Sequence, residues 1–288
     1  MMKALLLSLL FGVSLSLKAG SVELTEPELN NPFKITNSHI LAIESQLLGR
    51  DYELYIKLPR GYFDENSQSK RYPVLYLNDG PHTFKVASGV THFPSMDKAI
   101  LVGISFAKDE NGQFSRVRDL TPEVDKSWVN YKTGGAPAYL DFIQKEIFPL
   151  IEGQYRTDTN KRMLAGHSLG GSFAAWVLVT KPELFSAYVL TSPSLWFKKD
   201  LIFTFENTYA SQHTSLNAKV FMATGALETT ANGMRNDMVD GHKRFMKRLE
   251  SRGYHGLQLK GEVVQGTDHY STFPIGLTKG LMWIYQDI

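Results

Sequence analysis

Nine consecutive residues, Met163-Leu164-Ala165-Gly166-His167-Ser168-Leu169-Gly170-Gly171, constrain this chain more than any other stretch. A short apolar run precedes them and a long apolar pattern, residues 173–179, follows. Gly-x-Ser-x-Gly between a buried strand and a buried helix marks a turn so tight that the serine needs small neighbours on both sides. Such a turn lifts Oγ above the end of a sheet. Gly166 and Gly170 supply the room because neither carries a Cβ. The bland alternative is a Gly-rich turn with no chemistry, which the flanking strand and helix patterns disfavour. The expected fold class is therefore α/β, a mainly parallel sheet with helices on both faces, and Ser168 is a candidate nucleophile.

The remaining periodicities agree. Residues 40–47 and 52–58 alternate apolar and polar around Gly49-Arg50-Asp51, which predicts an antiparallel strand pair. Residues 73–77 form a buried strand ending at Asn78-Asp79-Gly80, and strand and helix patterns alternate from there. Strands are expected at 99–104, 161–165, 188–191, 220–223 and 257–264. Helices are expected at 138–148, 238–249 and 276–285. No internal repeat, low-complexity tract or domain linker interrupts them. Ligands in open α/β sheets sit outside the carboxyl ends of the strands. That rule singles out the loops opening at Asn78, Ser105, Gly166, Ser192 and Gly225, and the loop 265–271.

Several functions are excluded by composition. The chain has no cysteine, so a thiol nucleophile, a disulfide framework and a Cys-ligated metal are ruled out. Lys+Arg total 31 against 29 Asp+Glu, a balance that points to neither nucleic acid nor a polybasic membrane contact. Residues 1–19 begin with Met-Met-Lys, followed over 4–17 by an apolar run broken only by serines and one glycine. They read as a signal peptide, too short to span a bilayer, with an uncleaved anchor as the competing reading. Residues 20–288 then form one domain, periplasmic or secreted, with no membrane contact after cleavage. No motif specifies an oligomeric state.

A serine hydroxyl needs a base to take its proton. Of the eight histidines, His269 lies in the loop after the last strand, where the chain order Ser, acid, His places the base. His213, His242 and His255 read as solvated or packed side chains, and His167 is expected to point away from its neighbour. The acid belongs after the 220–223 strand, and Glu228 follows it directly. Asp237 is the rival, although its position before a helix pattern makes it an N-cap. Asp268 is expected to contact backbone, and a Ser-His dyad without an acid is a further alternative. Oxyanion donors are the N–H of Leu169 and, since Pro81 has none, that of Gly80 or His82. Trp196, and Arg116 and Arg118 in the polar loop after Ser105, are candidates for substrate contact, with His82 on the same rim. For Trp196 the alternative is a packed loop anchor. For Arg118 it is an ion pair with Asp119.

These motifs together resemble the esterase family of α/β-hydrolases that includes human esterase D, the mycolyltransferases and the enterobactin-type siderophore esterases. The resemblance rests on Leu58-Pro59-Arg60-Gly61-Tyr62, residues 72–80, Arg118-Asp119-Leu120-Thr121-Pro122 and Gly134-Gly135-Ala136. It continues through Glu146-Ile147-Phe148-Pro149, Tyr155-Arg156-Thr157, residues 166–171 and Ser192-Pro193-Ser194-Leu195-Trp196. It implies an α/β-hydrolase fold, ester hydrolysis through an acyl-enzyme on Ser168 and His269, a small-molecule ester substrate, and no metal or organic cofactor. In its siderophore branch the substrates are catecholate trilactones. Asn78 departs from the leucine common before Asp-Gly. Two other classes stand beside ester hydrolysis: acyl transfer to a sugar or lipid hydroxyl, and a non-catalytic binding protein.

Overall fold

Residues 73–77, 100–104 and 187–190 are buried along their whole length, which suits a sheet covered on both faces. The computed structural model describes residues 33–287, so the expected signal peptide, residues 1–19, lies outside the described residues. The eight strands are β1 (Ser38–Ser45), β2 (Arg50–Lys57), β3 (Tyr72–Leu77), β4 (Ile100–Ile104), β5 (Thr157–His167), β6 (Ala187–Thr191), β7 (Ser215–Gly225) and β8 (His255–Val264). They form one sheet in the order β1-β2-β4-β3-β5-β6-β7-β8. β1 pairs antiparallel with β2, and β2 antiparallel with β4; from β4 through β3 to β8 every pairing is parallel. Every expected strand is present within a few residues of its predicted ends.

Successive residues of each central strand enter different cores. Tyr76, Val102, Leu164, Leu190 and Met222 pack on one face. Leu75, Leu101, Ala165, Val189 and Phe221 pack on the other. Helices α1 (Gly80–Val90) and α8 (Thr272–Ile284) cover the second face, through Phe84, Ala87, Leu277 and Leu281. The first face is covered by α2 (Gly112–Leu120), α3 (Ala136–Phe142), α4 (Phe148–Gln154), α5 (Leu169–Leu178), α6 (Phe197–Ala210) and α7 (Met238–Arg252). Among the described residues no helix is long and apolar enough to cross a membrane.

Three differences from the sequence reading have physical causes. The helix expected at 138–148 spans α3 and α4 with a π turn, Ile143–Ile147, between them. Pro149 has no N–H for the carbonyl one turn earlier and its ring crowds that carbonyl, so the ladder opens there. The expected polar loop after Ser105 contains α2. The Asn111 side chain accepts the Gln113 N–H at 2.9 Å as its N-cap, while Val117 and Leu120 are buried. The third concerns α6, whose first turn is interrupted: Lys198, Lys199 and Asp200 all have positive φ, in the left-handed region.

Candidate active site

Ser168 connects β5 to α5 at φ 59°, ψ −119°, a conformation L-residues rarely adopt. The chain doubles back so sharply that a Cβ on Gly166 would lie 2.2 Å from the Gly170 carbonyl oxygen. Only glycine fits there. The turn is anchored from β6 and its loop: Ser168 N–H donates to the Thr191 carbonyl at 3.0 Å, and Ser194 N–H donates to the Ser168 carbonyl at 3.1 Å. Ser168 Oγ is 3.4 Å from Ser194 Oγ.

The predicted acid and base meet. His269 Nδ1 and Glu228 Oε2 are 2.6 Å apart across forty-one positions of sequence. Glu228 is fully buried, and Oε1 accepts from Ser192 Oγ at 2.6 Å and from the Gly225 N–H at 2.7 Å. Burial pushes its carboxyl up, but the hydrogen bonds from His269, Ser192 and Gly225 more than offset this and hold it below the ordinary carboxylate range. With the carboxylate on Nδ1, Nε2 is left for the nucleophile's proton. Ser168 and His269 line one cavity of about 250 Å³, with Ser194, Trp196, Met234, Arg235, Asn236 and Met238. Among the described residues Ser168 Oγ and His269 do not share a hydrogen bond, a contact that commonly tightens only when substrate is bound.

The rival groups have other occupations. Asp237 caps α7, accepting the Asp240 N–H at 2.8 Å. Asp268 Oδ1 accepts the backbone N–H of Ser271 at 2.8 Å and of Tyr270 at 3.1 Å. His242 is buried with Nδ1 3.0 Å from Thr224 Oγ1, and burial lowers its pKa to about 4. His167 packs against the base rather than the nucleophile. Its ring centroid lies 4.6 Å from that of His269, and Nδ1 is 3.1 Å from Thr191 Oγ1. Burial first, and then the neighbouring His269, lower its pKa to about 4, so His167 backs the base as a neutral ring.

On the oxyanion side, the His82 N–H donates to the Asp79 carbonyl at 2.8 Å and is spent within the turn. Leu169 and Gly80 each open a helix, where the first N–H groups lack an intrahelical acceptor. Asp79, immediately before Gly80, sits at φ 56°. Arg116 holds it there by two parallel hydrogen bonds, Nε to Oδ1 and Nη2 to Oδ2, both 2.9 Å. Asp79 is buried and Arg116 half-buried, their side chains 5% and 15% exposed. Arg118 is likewise engaged, with Nε 2.8 Å from Asp119 Oδ1 and with Glu110 on its other side. Neither arginine lines the cavity, so the structure gives both the internal ion pairs weighed as the alternative for Arg118. His82 is exposed, its ring 5.4 Å from Phe106. Trp196 lines the cavity as expected.

The sequence reading assigns no role of their own to Ser192, Ser194, Arg235 and Trp128. Trp128 lies parallel to Trp196, ring centroids 6.1 Å apart at 12°. Both line a wider cleft of about 830 Å³ that shares Trp196, Arg235 and Asn236 with the serine's cavity. Gly225 carried a readable signal: a Cβ there would meet the Thr267 carbonyl and Thr272 Oγ1 at 2.4 Å, so glycine is required where the acid and base loops cross.

Residues 45–284 match the family described as "Putative esterase". The chain belongs to this esterase family. The esterase is 26% identical to ferri-bacillibactin esterase BesA of Bacillus subtilis over 284 residues, covering 92% of this chain and 95% of that protein. It is 24% identical to the siderophore triacetylfusarinine C esterase of Aspergillus fumigatus, covering 89% and 96%. Among solved structures it resembles an IroE-like serine hydrolase from Shewanella oneidensis, at 30% identity and TM-score 0.76, covering 87% of this chain and 80% of that one. It also resembles the BES protein from Bacillus cereus, at 28% identity and TM-score 0.77, covering 92% and 98%. The fold is that of the α/β-hydrolases, and the protein is a serine esterase.

Proposed function

We propose that this esterase hydrolyses the ester bonds of iron-chelating small molecules, catecholate trilactones in particular, through an acyl-enzyme on Ser168. The observation that carries the reading is the 2.6 Å pair of His269 Nδ1 and Glu228 Oε2 beside a strained serine. In this reading His269 Nε2 removes the Ser168 proton as Oγ attacks the ester carbonyl. The imidazolium is stabilised by the Glu228 carboxylate. Charge on the carbonyl oxygen is met by the N–H groups of Leu169 and Gly80, each worth about 3 kcal/mol in comparable sites. His269 then protonates the leaving alkoxide, and water, deprotonated by the same ring, releases the acid. The named activities of the B. subtilis and A. fumigatus relatives support the substrate class. So does the neighbouring cleft, which adds room well beyond what a single acyl group needs.

The apolar start of residues 1–19 supports export, which would bring the enzyme to such substrates in the periplasm or outside the cell. Product analysis on a catecholate trilactone, metal-free and ferric, beside p-nitrophenyl esters tests the proposal. Stepwise opening to linear trimer and monomer is expected, abolished in Ser168→Ala. Turnover of simple esters only would overturn the substrate assignment. A product mass equal to acyl plus added alcohol would indicate transfer instead.

A further inference from the structure

A second hydroxyl, which the triad does not use, stands beside the nucleophile. Ser168 Oγ and Ser194 Oγ lie 3.4 Å apart, and among the described residues neither oxygen has another hydrogen-bond partner. Ser194 is buried and lines the serine's cavity together with His269. On its other side is a largely apolar cavity of about 20 Å³, walled by Leu169, Trp176, Leu195, Phe197 and Ile202. A hydroxyl between the reacting oxygen and an apolar wall has one direction in which to donate its proton. The low dielectric of such surroundings strengthens the bond it makes there.

The loop that carries Ser194 is held by other groups than its hydroxyl. The Ser194 N–H donates to the Ser168 carbonyl at 3.1 Å, and its own carbonyl accepts the Phe197 N–H at 3.2 Å. Two residues earlier, Ser192 sits at φ 42°, in the left-handed region. Its N–H donates to the Ala223 carbonyl at 2.7 Å and its hydroxyl to Glu228 at 2.6 Å. Pro193, between them, packs on α5 so closely that a Cβ on Gly171 would lie 3.1 Å from its Cα. A left-handed serine is costly and persists only where the surroundings fix it. The Ser194 hydroxyl is thus set in place before any substrate arrives, the condition under which a donor to developing charge is most effective.

We infer that Ser194 is a catalytic residue of the second half of the reaction, its hydroxyl donating to Ser168 Oγ as that oxygen leaves the acyl group. This rests on the acyl-enzyme reading above. In acylation Oγ bonds to the ester carbonyl carbon, its proton passes to His269, and the alkoxide departs with that proton. In deacylation the water oxygen bonds to the same carbon and its proton passes to His269. The C–Oγ bond then breaks, and Oγ takes the proton back. A donor to Oγ acts oppositely on the two halves. It draws electron density from Oγ, which opposes attack by that oxygen and favours its departure. The acylated Oγ has no proton of its own, so across this pair only Ser194 can donate. A separation of 3.4 Å is long for two neutral hydroxyls. Charge developing on Oγ shortens and strengthens such a bond.

A carbamate resolves the two halves in time. p-Nitrophenyl dimethylcarbamate releases p-nitrophenolate as Ser168 is carbamoylated. After the excess is removed, recovery of activity on p-nitrophenyl butyrate follows the departure of Oγ. Ser194→Ala takes away one hydroxyl and keeps the main-chain bonds of its loop. Its recovery is expected to be about tenfold slower than wild type, as for loss of a hydrogen bond to a charged group, with carbamoylation slowed less than about threefold. On p-nitrophenyl butyrate the variant should show a burst of p-nitrophenolate larger than that of the wild type, the mark of an accumulating acyl-enzyme. Equal slowing of both halves, or recovery at the wild-type rate, would overturn the role of Ser194. So would faster carbamoylation with unchanged recovery, which would mean that Ser194 only holds the nucleophile's proton away from His269. No carbamate on Ser168 of the wild-type protein, read from the mass of the modified peptide, would remove the acyl-enzyme reading itself and the role of Ser194 with it.

Discussion

At the scale of single residues, the Glu228 carboxylate is the most completely specified group in the site. Every oxygen is engaged, and the orientation of the His269 ring follows from it. Replacing Glu228 with Ala is expected to lower kcat by about ten-thousandfold, and Ser168→Ala by about a millionfold, as for the corresponding members of another triad. Ester turnover with melting curves checks both, since Ser168→Ala should leave the melting temperature unchanged, whereas Glu228→Ala strands the buried Gly225 N–H. Arg116 acts one step further out. Arg116→Gln removes one of the two bonds that hold Asp79 in its left-handed conformation before Gly80. A fall in kcat of tenfold or more with KM nearly constant is expected, and affinity for a boronate transition-state analogue should fall in proportion. A change in KM alone would mean that Arg116 meets substrate after all. Ser168, Glu228 and His269 are legible as candidates because each follows a strand end in the chain order of the fold class. Lys199, Arg235 and Trp128 were not legible, since three separate loops have to converge before they share a cleft.

Among elements, legibility followed apolar periodicity. β3 and α5 are buried almost throughout and were plain in the sequence. α2 was missed because only Val117 and Leu120 among its larger apolar side chains are buried, in a stretch otherwise polar. α6 was missed because its first turn is left-handed, which no helical period describes. The crossing of the β7 and β8 loops is the tightest joint between elements. A methyl at Gly225 cannot enter without moving the Thr267 carbonyl or Thr272, and either shift carries His269 with it. Gly225→Ala is therefore expected to destabilise by about 1–3 kcal/mol, the usual cost of overpacking, and to lower kcat more than a hundredfold. Denaturant unfolding and steady-state kinetics read the two effects separately, and a fully active Gly225→Ala would show that the loops yield.

The molecule as a whole carries two histidines, His167 and His242, whose folded pKa values lie near 4 because burial disfavours their charged forms. In the unfolded chain both titrate near about 6.5. Between those values the unfolded state binds protons that the folded state refuses, so stability rises with pH across this window. It is complete above pH 6.5 and is lost as pH falls toward 4. The slope expected is up to about 1.4 kcal/mol per pH unit for each group. Glu228, whose folded pKa is depressed, adds a loss at lower pH, as its own pKa is approached. Melting temperatures from pH 7.5 to 4 should decline, and His242→Gln, which keeps a polar partner for Thr224, should flatten the decline. An unchanged slope in that variant would place the acid sensitivity elsewhere.

The sheet order has a consequence for synthesis. From β5 onward each new strand is laid on the outer side of the one before it, in chain order. Ser168 is synthesised first, Glu228 about sixty residues later, and His269 about forty residues after that. β8, the strand that delivers His269, is also the edge of the sheet. The constellation of Ser168, Glu228 and His269 can therefore assemble only after β8 has been added at the sheet edge.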